Sequence, residues 1–419
     1  MSLPALPDES NVIVVIVRWR VTKGLLICLA LAMSLFYMRT YERLHDPVEG
    51  WTKMISFGGL FAARTLPRVQ HIVHHVTPPD NAGADGQFYA QLAIDPSLRD
   101  PAFDQALDNP GYRARRIGLS ATAFVLGWGK PRRILEAYAL SNLLFWFLLM
   151  GALFRLFRPR TGRDLLCLCG ALLGYGVVAS MELSATDLPA TALIFAALLM
   201  GASSWGRYAT LAAAALTRET SVLAAFSFLD PRRLWREWRE RREWKRPAGL
   251  LALALVPLVL WTAYVLHRFG RAEEVAGARN FSLPFQAMFQ CFAHAVDVCR
   301  EQGLSAEAQE AAPLGWLWAD GPMRHPLTIV GLFFQVAYLG VRRDPASAVW
   351  RTGIAYAVLC TVLGTAVWEE VLNIVRAMLP MTVCFYLLLA RERGWWFWVF
   401  FVLGGMALPY SVHEFWVVQ

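Results

Sequence analysis

Long apolar runs alternate with short, arginine-rich polar stretches along most of the chain. The first run covers about 24–38, and a mostly polar segment, 39–133, separates it from the next at about 134–154. A helix over 134–154 would measure ~31 Å, against ~30 Å of bilayer hydrocarbon. Further runs lie at about 164–181, 188–206, 248–266, 325–341, 348–367, 374–391 and 395–410. The stretch 208–229 has two apolar halves divided by Thr217-Arg218-Glu219-Thr220, and reads as a segment that dips in and returns. With both halves counted, the pattern predicts an all-α polytopic membrane protein with about 11 transmembrane helices in one domain, 1–419. Neither a solenoid-type repeat nor a low-complexity tract interrupts it.

One apolar run is too short to cross. Ile117 to Gly129 would reach only ~20 Å as a helix, so it is expected to lie along the membrane within the 39–133 loop. The loop 267–324 carries an amphipathic piece near 284–299.

Composition supports the membrane class. Fifty-six per cent of residues are hydrophobic, 17 are Trp and 25 are Phe, and mean hydropathy is +0.39. The net charge of +8 needs no nucleic-acid partner, because arginines between spans follow the positive-inside rule. Arg155, Arg158, Arg160 and Arg163, then the basic segment 231–247, then Arg342 and Arg343, and last Arg391 and Arg393, mark cytoplasmic turns. They agree with one another if the N-terminus is cytoplasmic and 117–129 does not cross. Lys130, Arg132 and Arg133 then fall outside, against the rule. Trp235, Trp238 and Trp244 among the arginines read as an interfacial helix on anionic lipid. The first apolar run follows Arg18, Arg20 and Lys23 without a small-residue cleavage site, and reads as a signal anchor.

Five of the seven cysteines lie in apolar runs. Cys291 and Cys299 lie in the 267–324 loop. They would pair only if the chain between them is not one straight helix, which would hold them ~12 Å apart.

Five groups could carry chemistry. Asp85, with Gln87, Phe88 and Tyr89, puts a carboxylate beside aromatics in the first external loop, and Asp85 and Tyr89 would share a helix face. After them come Asp108, Asn109 and the arginines Arg113, Arg115 and Arg116, whose planar forks suit phosphate. Asp187, before Leu188-Pro189, reads either as the N-cap of the next helix or as a second functional acid. Arg218 and Glu219 sit inside an apolar run, where each ionisable group costs ~2.5–3.5 kcal/mol. They would pair locally, or Arg218 would line a cavity and hold an anionic lipid head. Glu369, Asn373 and Arg376 form one polar helical face, with Arg376 turned to a cavity. His71, His74 and His75 have the spacing of helical metal ligands, though an interfacial segment accounts for them equally.

Three blocks occur in order: Asp85-Gly86-Gln87-Phe88-Tyr89 with Asp108-Asn109-Pro110-Gly111-Tyr112-Arg113 to Arg116-Ile117; Leu216-Thr217-Arg218-Glu219-Thr220; and Arg376-Ala377-Met378-Leu379-Pro380. Over about 20–390 this layout resembles the bacterial GT-C glycosyltransferases, relatives of the mannosyltransferases of GPI-anchor and lipid-linked glycan assembly. The resemblance implies a GT-C-like bundle with juxtamembrane helices in the first external loop. It implies transfer of a sugar from a polyprenyl-phosphate donor to a lipid or glycan acceptor, with inversion, at the outer face of a bacterial inner membrane. It maps the catalytic acid to Asp85 and a second acid to Asp187. Tyr89, Gln87, Arg113, Arg116, Arg218, Glu219, Glu369 and Arg376 become substrate-binding candidates. The first loop lacks the Asp-x-Asp pair of some members, so a divalent metal is left open. The competing expectation is a transporter or flippase for a lipid-linked or anionic substrate, which would also use arginines at depth. It would more often show repeated halves, and none is seen.

Overall fold

The structure, a computed structural model, describes residues 23–201, 204–228, 239, 245–270, 280–303 and 323–411. Among them the regular elements are helices, joined by three isolated β-bridges. The basic tryptophan-rich segment 231–247 lies almost wholly outside these residues, as do Arg18 and Arg20.

The chain opens with α1, Lys23–Leu44. The first loop then carries α2 (Gly86–Leu92), α3 (Pro110–Arg113) and α4 (Ile117–Leu126). After the loop, α5 runs through Pro131–Phe157, followed by α6 (Gly162–Leu172), α7 (Tyr175–Glu182) and α8 (Asp187–Leu198). The divided segment forms α9 (Trp205–Thr217) and α10 (Val222–Ser227), and α11 is Lys245–Phe269. The last third holds α12 (Gln286–Gly303), α13 (Arg324–Val341), α14 (Ala348–Val362), α15 (Val371–Ala377), α16 (Leu379–Leu389) and α17 (Trp395–Gly404).

Among the described residues four helical stretches are long and apolar enough to cross a bilayer: Gly24–Leu44, Pro131–Phe157, Gly162–Glu182 and Gly249–Phe269. The bent pair α15 and α16 makes a fifth if taken as one span. Several of these helices leave large apolar side chains facing outward. Ile27, Leu31 and Leu35 on α1, and Val256, Val259 and Leu260 on α11, are exposed. Apolar belts of that kind need lipid around them, and the chain is an all-helical, polytopic integral membrane protein.

Other runs expected as single spans are shorter or divided. The 188–206 run makes a helix only to Leu198, and 348–367 ends at Val362 before a single turn, Thr365–Trp368. The 164–181 run breaks at Leu173-Gly174. There the Leu172 carbonyl accepts from Tyr37 Oη at 3.2 Å and Trp146 Nε1 at 3.1 Å, two partners for a group that has lost its helical one. The 374–391 run bends by 58° at Met378. Pro380 has no N–H and would crowd the carbonyl four residues back, so one straight helix through Arg376 is not available. The amphipathic piece of the second loop is the single helix α12, and Cys291 and Cys299 on it are both free thiols.

The expected juxtamembrane segment is α4, ten residues long. It packs between α5 and α9, so the first loop is clamped onto the bundle. Two glycines allow that approach. A Cβ on Gly118 would lie 2.4 Å from Thr217 Oγ1, and one on Gly86 would lie 2.5 Å from the Leu183 carbonyl oxygen. Gly118 thus seats α4 on the break between α9 and α10, and Gly86 seats α2 on the turn between α7 and α8.

Candidate functional site

Asp85 stands at the N-terminal boundary of α2 but does not cap it, since its side chain accepts no bond from the helix N–H groups. Its carboxylate is directed at guanidiniums. Arg113 Nη2 is 2.9 Å from Asp85 Oδ1, and Arg376 Nη2 is 3.9 Å from Asp85 Oδ2. About a third of the Asp85 side chain stays accessible, whereas Arg376 is buried at 7%. Burial by itself would raise the Asp85 carboxyl. The charges of Arg113 and Arg376, with the Arg113 hydrogen bond, outweigh it and hold the group down at about 2.

Arg113 is fixed from behind. Its Nε and Nη2 donate to the two oxygens of Asp108 at 2.9 and 2.7 Å, a bidentate pair. The guanidinium also lies over the Phe88 ring at 4.9 Å. Asn109 caps α3 by accepting from the Tyr112 N–H at 3.0 Å, which sets the turn that carries Arg113.

Arg116 is spent on structure. It donates to both Glu219 oxygens at 2.8 Å each, to Tyr89 Oη at 2.9 Å and to Tyr112 Oη at 2.7 Å. This network ties α2 and the end of α3 to the break between α9 and α10. Arg218, the neighbour of Glu219, does not pair with it. Arg218 instead forms an ion pair with Asp187, which is 3% exposed. Asp187 is the first residue of α8 and caps nothing with its side chain. The N-cap expectation and the local Arg218–Glu219 pair are therefore both replaced by contacts between elements.

Tyr138 on α5 is fully buried, and its hydroxyl donates at 2.8 Å to the carbonyl of Ser184, in the turn that leads to Asp187. Taken together, the guanidiniums of Arg113, Arg116, Arg218 and Arg376 face the carboxylates of Asp85, Asp108, Asp187 and Glu219. The cluster is close to neutral. Arg376 makes the longest carboxylate contact of the four arginines: it is held by the Leu372 carbonyl at 2.9 Å and by Asn373 Oδ1, with Asp85 beyond hydrogen-bond distance at 3.9 Å.

No family model matches this chain, and no curated protein matches it. A solved structure, that of ArnT from Cupriavidus metallidurans bound to undecaprenyl phosphate, is similar to it at a TM-score of 0.46 and 13% identity. The likeness covers 89% of this chain and 61% of that one, so this chain spans less than two thirds of its neighbour's length.

Several predicted site residues lie elsewhere or do other work. Gln87 is fully buried; it accepts from the Gly58 N–H at 3.0 Å and donates to the Ala82 carbonyl at 2.6 Å, so it braces the loop and offers nothing to a ligand. Tyr89 is 1% exposed and its hydroxyl is taken by Arg116. Glu369 follows the turn Thr365–Trp368, is exposed, and is not on one helix with Asn373 and Arg376. The backbone break at Glu369-Glu370 removes the continuous polar face. The histidines follow a one-turn helix, Pro67–Gln70, that stops before His71, so their helical ligand spacing is not realised. Among the described residues no group of three His, Cys, Asp or Glu side chains is placed to share a metal ion. Asp108 and Tyr138 were not among the mapped catalytic or substrate-binding positions; Asp108 joins the cluster through Arg113, and Tyr138 holds the Ser184 carbonyl just before Asp187. Asp108 carried a signal, since it precedes a basic run by only five residues; Tyr138 carried none, being one aromatic in a long apolar helix.

Proposed function

We propose that the protein is a glycosyltransferase of the GT-C kind that moves a sugar from a polyprenyl-phosphate donor to an acceptor hydroxyl at the outer face of a bacterial inner membrane. The observation that carries this reading is one accessible, ionised carboxylate, Asp85, held between Arg113 at 2.9 Å and Arg376 at 3.9 Å. A base and a phosphate-binding cation are thereby a few ångströms apart, which is what displacement of a phosphate leaving group requires.

The acceptor oxygen attacks the anomeric carbon and its proton passes to Asp85. The bond from that carbon to the phosphate oxygen breaks, and its electron pair leaves with the polyprenyl phosphate. The configuration at carbon inverts. Arg376 is the first candidate for the leaving phosphate, and Arg218 the second, because its Nε has no hydrogen-bond partner. Arg116 is fully committed to Glu219, Tyr89 and Tyr112, and serves the site as scaffold.

The charge balance couples the two halves of the reaction. While Asp85 is ionised, Arg113 and Arg376 are compensated and Asp85 is a weak base. When the donor phosphate draws on Arg376, Asp85 loses part of that compensation and becomes more basic. Once Asp85 is protonated, the cluster carries an uncompensated positive charge where the leaving phosphate gathers negative charge.

The test is incubation of the purified protein with polyprenyl-phosphate sugars and an acceptor mixture, with release of polyprenyl phosphate as the readout. Asp85→Asn should lower release by at least ~100-fold, the lower end of general-base effects. Undiminished release by that variant would sink the assignment. Movement of the donor across vesicles without release of polyprenyl phosphate would favour a flippase instead.

A further inference from the structure

A polar cleft of about 920 Å³ opens next to the site, lined among others by Phe61, Arg64, Gln105, Asp108 and Phe269. Its volume falls within the ~300–1,000 Å³ of ordinary ligand pockets. Asp108 belongs both to the cleft wall and to the cluster, because it holds Arg113, which in turn touches Asp85. Phe61 makes a second link: its ring meets Phe88 edge-on at 5.1 Å, and Phe88 underlies Arg113.

The lining has an unusual chemistry for a membrane protein. Arg64 and Gln105 present a guanidinium and an amide, and within the described residues neither side chain has a hydrogen-bond or ion-pair partner. Asp104, also on the wall, is paired with Arg268 at 3.5 Å, and both oxygens of Asp108 are taken by Arg113. The remaining capacity is therefore a mixture of donors and acceptors with one uncompensated positive charge, on Arg64, flanked by two phenylalanine rings. An isoprenoid or acyl chain would leave those polar groups unpaired. A molecule bearing many hydroxyls would satisfy them and lay its C–H faces on the rings.

We propose that this cleft binds the saccharide end of the acceptor, so that the acceptor is an oligosaccharide or glycan-bearing molecule and not a bare lipid alcohol. This rests on the transferase reading above, which requires an acceptor hydroxyl to reach Asp85. The cleft lies one guanidinium away from that carboxylate.

The experiment uses the purified full chain in detergent. Saturation-transfer NMR reads contact with mannotriose, cellotriose and maltotriose, and native mass spectrometry reads binding of undecaprenyl phosphate. Gln105→Trp and Arg64→Trp each fill the cleft from an exposed position, and two blocking variants keep a fold defect in one from deciding the outcome. Gln105→Ala leaves the cleft open. At least one trisaccharide should give signal with the natural chain and with Gln105→Ala, and that signal should fall at least fivefold in both Trp variants. Undecaprenyl phosphate binding should be equal in all four proteins. No trisaccharide signal from the natural chain, a signal untouched by both Trp variants, or a loss of undecaprenyl phosphate binding in them would overturn the assignment. Neither readout needs turnover, so a failure to release polyprenyl phosphate from a donor sugar would count against the transferase reading separately.

Discussion

Arg116 and Glu219 offer the sharpest test of how the first loop is held on the bundle. They lie 103 residues apart in sequence and join through two bonds of 2.8 Å, with Tyr89 and Tyr112 completing the donors of Arg116. Arg116→Met removes all four bonds. It leaves a carboxylate that is one-third exposed and two tyrosine hydroxyls short of a partner. Breaking a fully buried pair costs ~3–5 kcal/mol; because Glu219 keeps some access to water, about 3 kcal/mol is expected. Glu219→Gln keeps an acceptor for Arg116 but withdraws the charge, and should cost about 2 kcal/mol. In the double variant neither partner is left stranded, so its loss should stay near 3 kcal/mol, a coupling of about 2 kcal/mol between the two positions. Equilibrium unfolding in mixed SDS micelles measures all three. Losses that simply add, with coupling under about 0.5 kcal/mol, would refute the idea that this pair fastens the loop.

Three other outcomes are expected. Asp85 has a depressed folded-state pKa of about 2, so the stability it contributes is present above the unfolded value of ~3.9 and is lost as pH falls between the two. The stability gap between the natural chain and Asp85→Asn should then be flat above about pH 4 and close below it; and kcat/KM should show no acid limb near pH 6 from this group, which a pH–rate profile checks. Gly86→Ala should destabilise by ~1–3 kcal/mol, because its Cβ would press on the Leu183 carbonyl oxygen, and should lower the melting temperature. Titration of denatured, unreduced protein with a thiol reagent should count seven free thiols per chain, and five would mean that Cys291 and Cys299 had paired despite sharing α12.

Much of the outline was readable without coordinates. The run 117–129 was recognisable as a short helix from its length, and α4 covers ten residues of it. The break at Thr217-Arg218-Glu219-Thr220 was equally plain, since charged residues inside an apolar run disrupt it locally, and α9 ends there. The lengths of the later helices were less readable. Hydropathy averages over a window and does not register a Pro380 that bends the chain at Met378, or a helix that stops at Leu198 shortly before Gly201-Ala202-Ser203-Ser204. Gln87 was misassigned for a related reason: a polar side chain next to a candidate acid looks like a ligand contact until its partners, the Gly58 N–H and the Ala82 carbonyl, are seen to exhaust it.

The class of the molecule, the position of the polar loop and the candidacy of Asp85 could be read from residue order, because each depends on local composition: apolar length, charge placement and a carboxylate beside aromatics. Which charges face each other could not be read that way. Arg218 pairs with Asp187 and not with its neighbour Glu219; Glu219 pairs with Arg116; Arg376 turns to Asp85 from a helix nearly 300 residues away in the chain. Ion pairs depend on distances of a few ångströms, and in a helical bundle those distances are set by how helices pack, aided here by the close approaches at Gly86 and Gly118. Spacing along the chain carries almost no information about them.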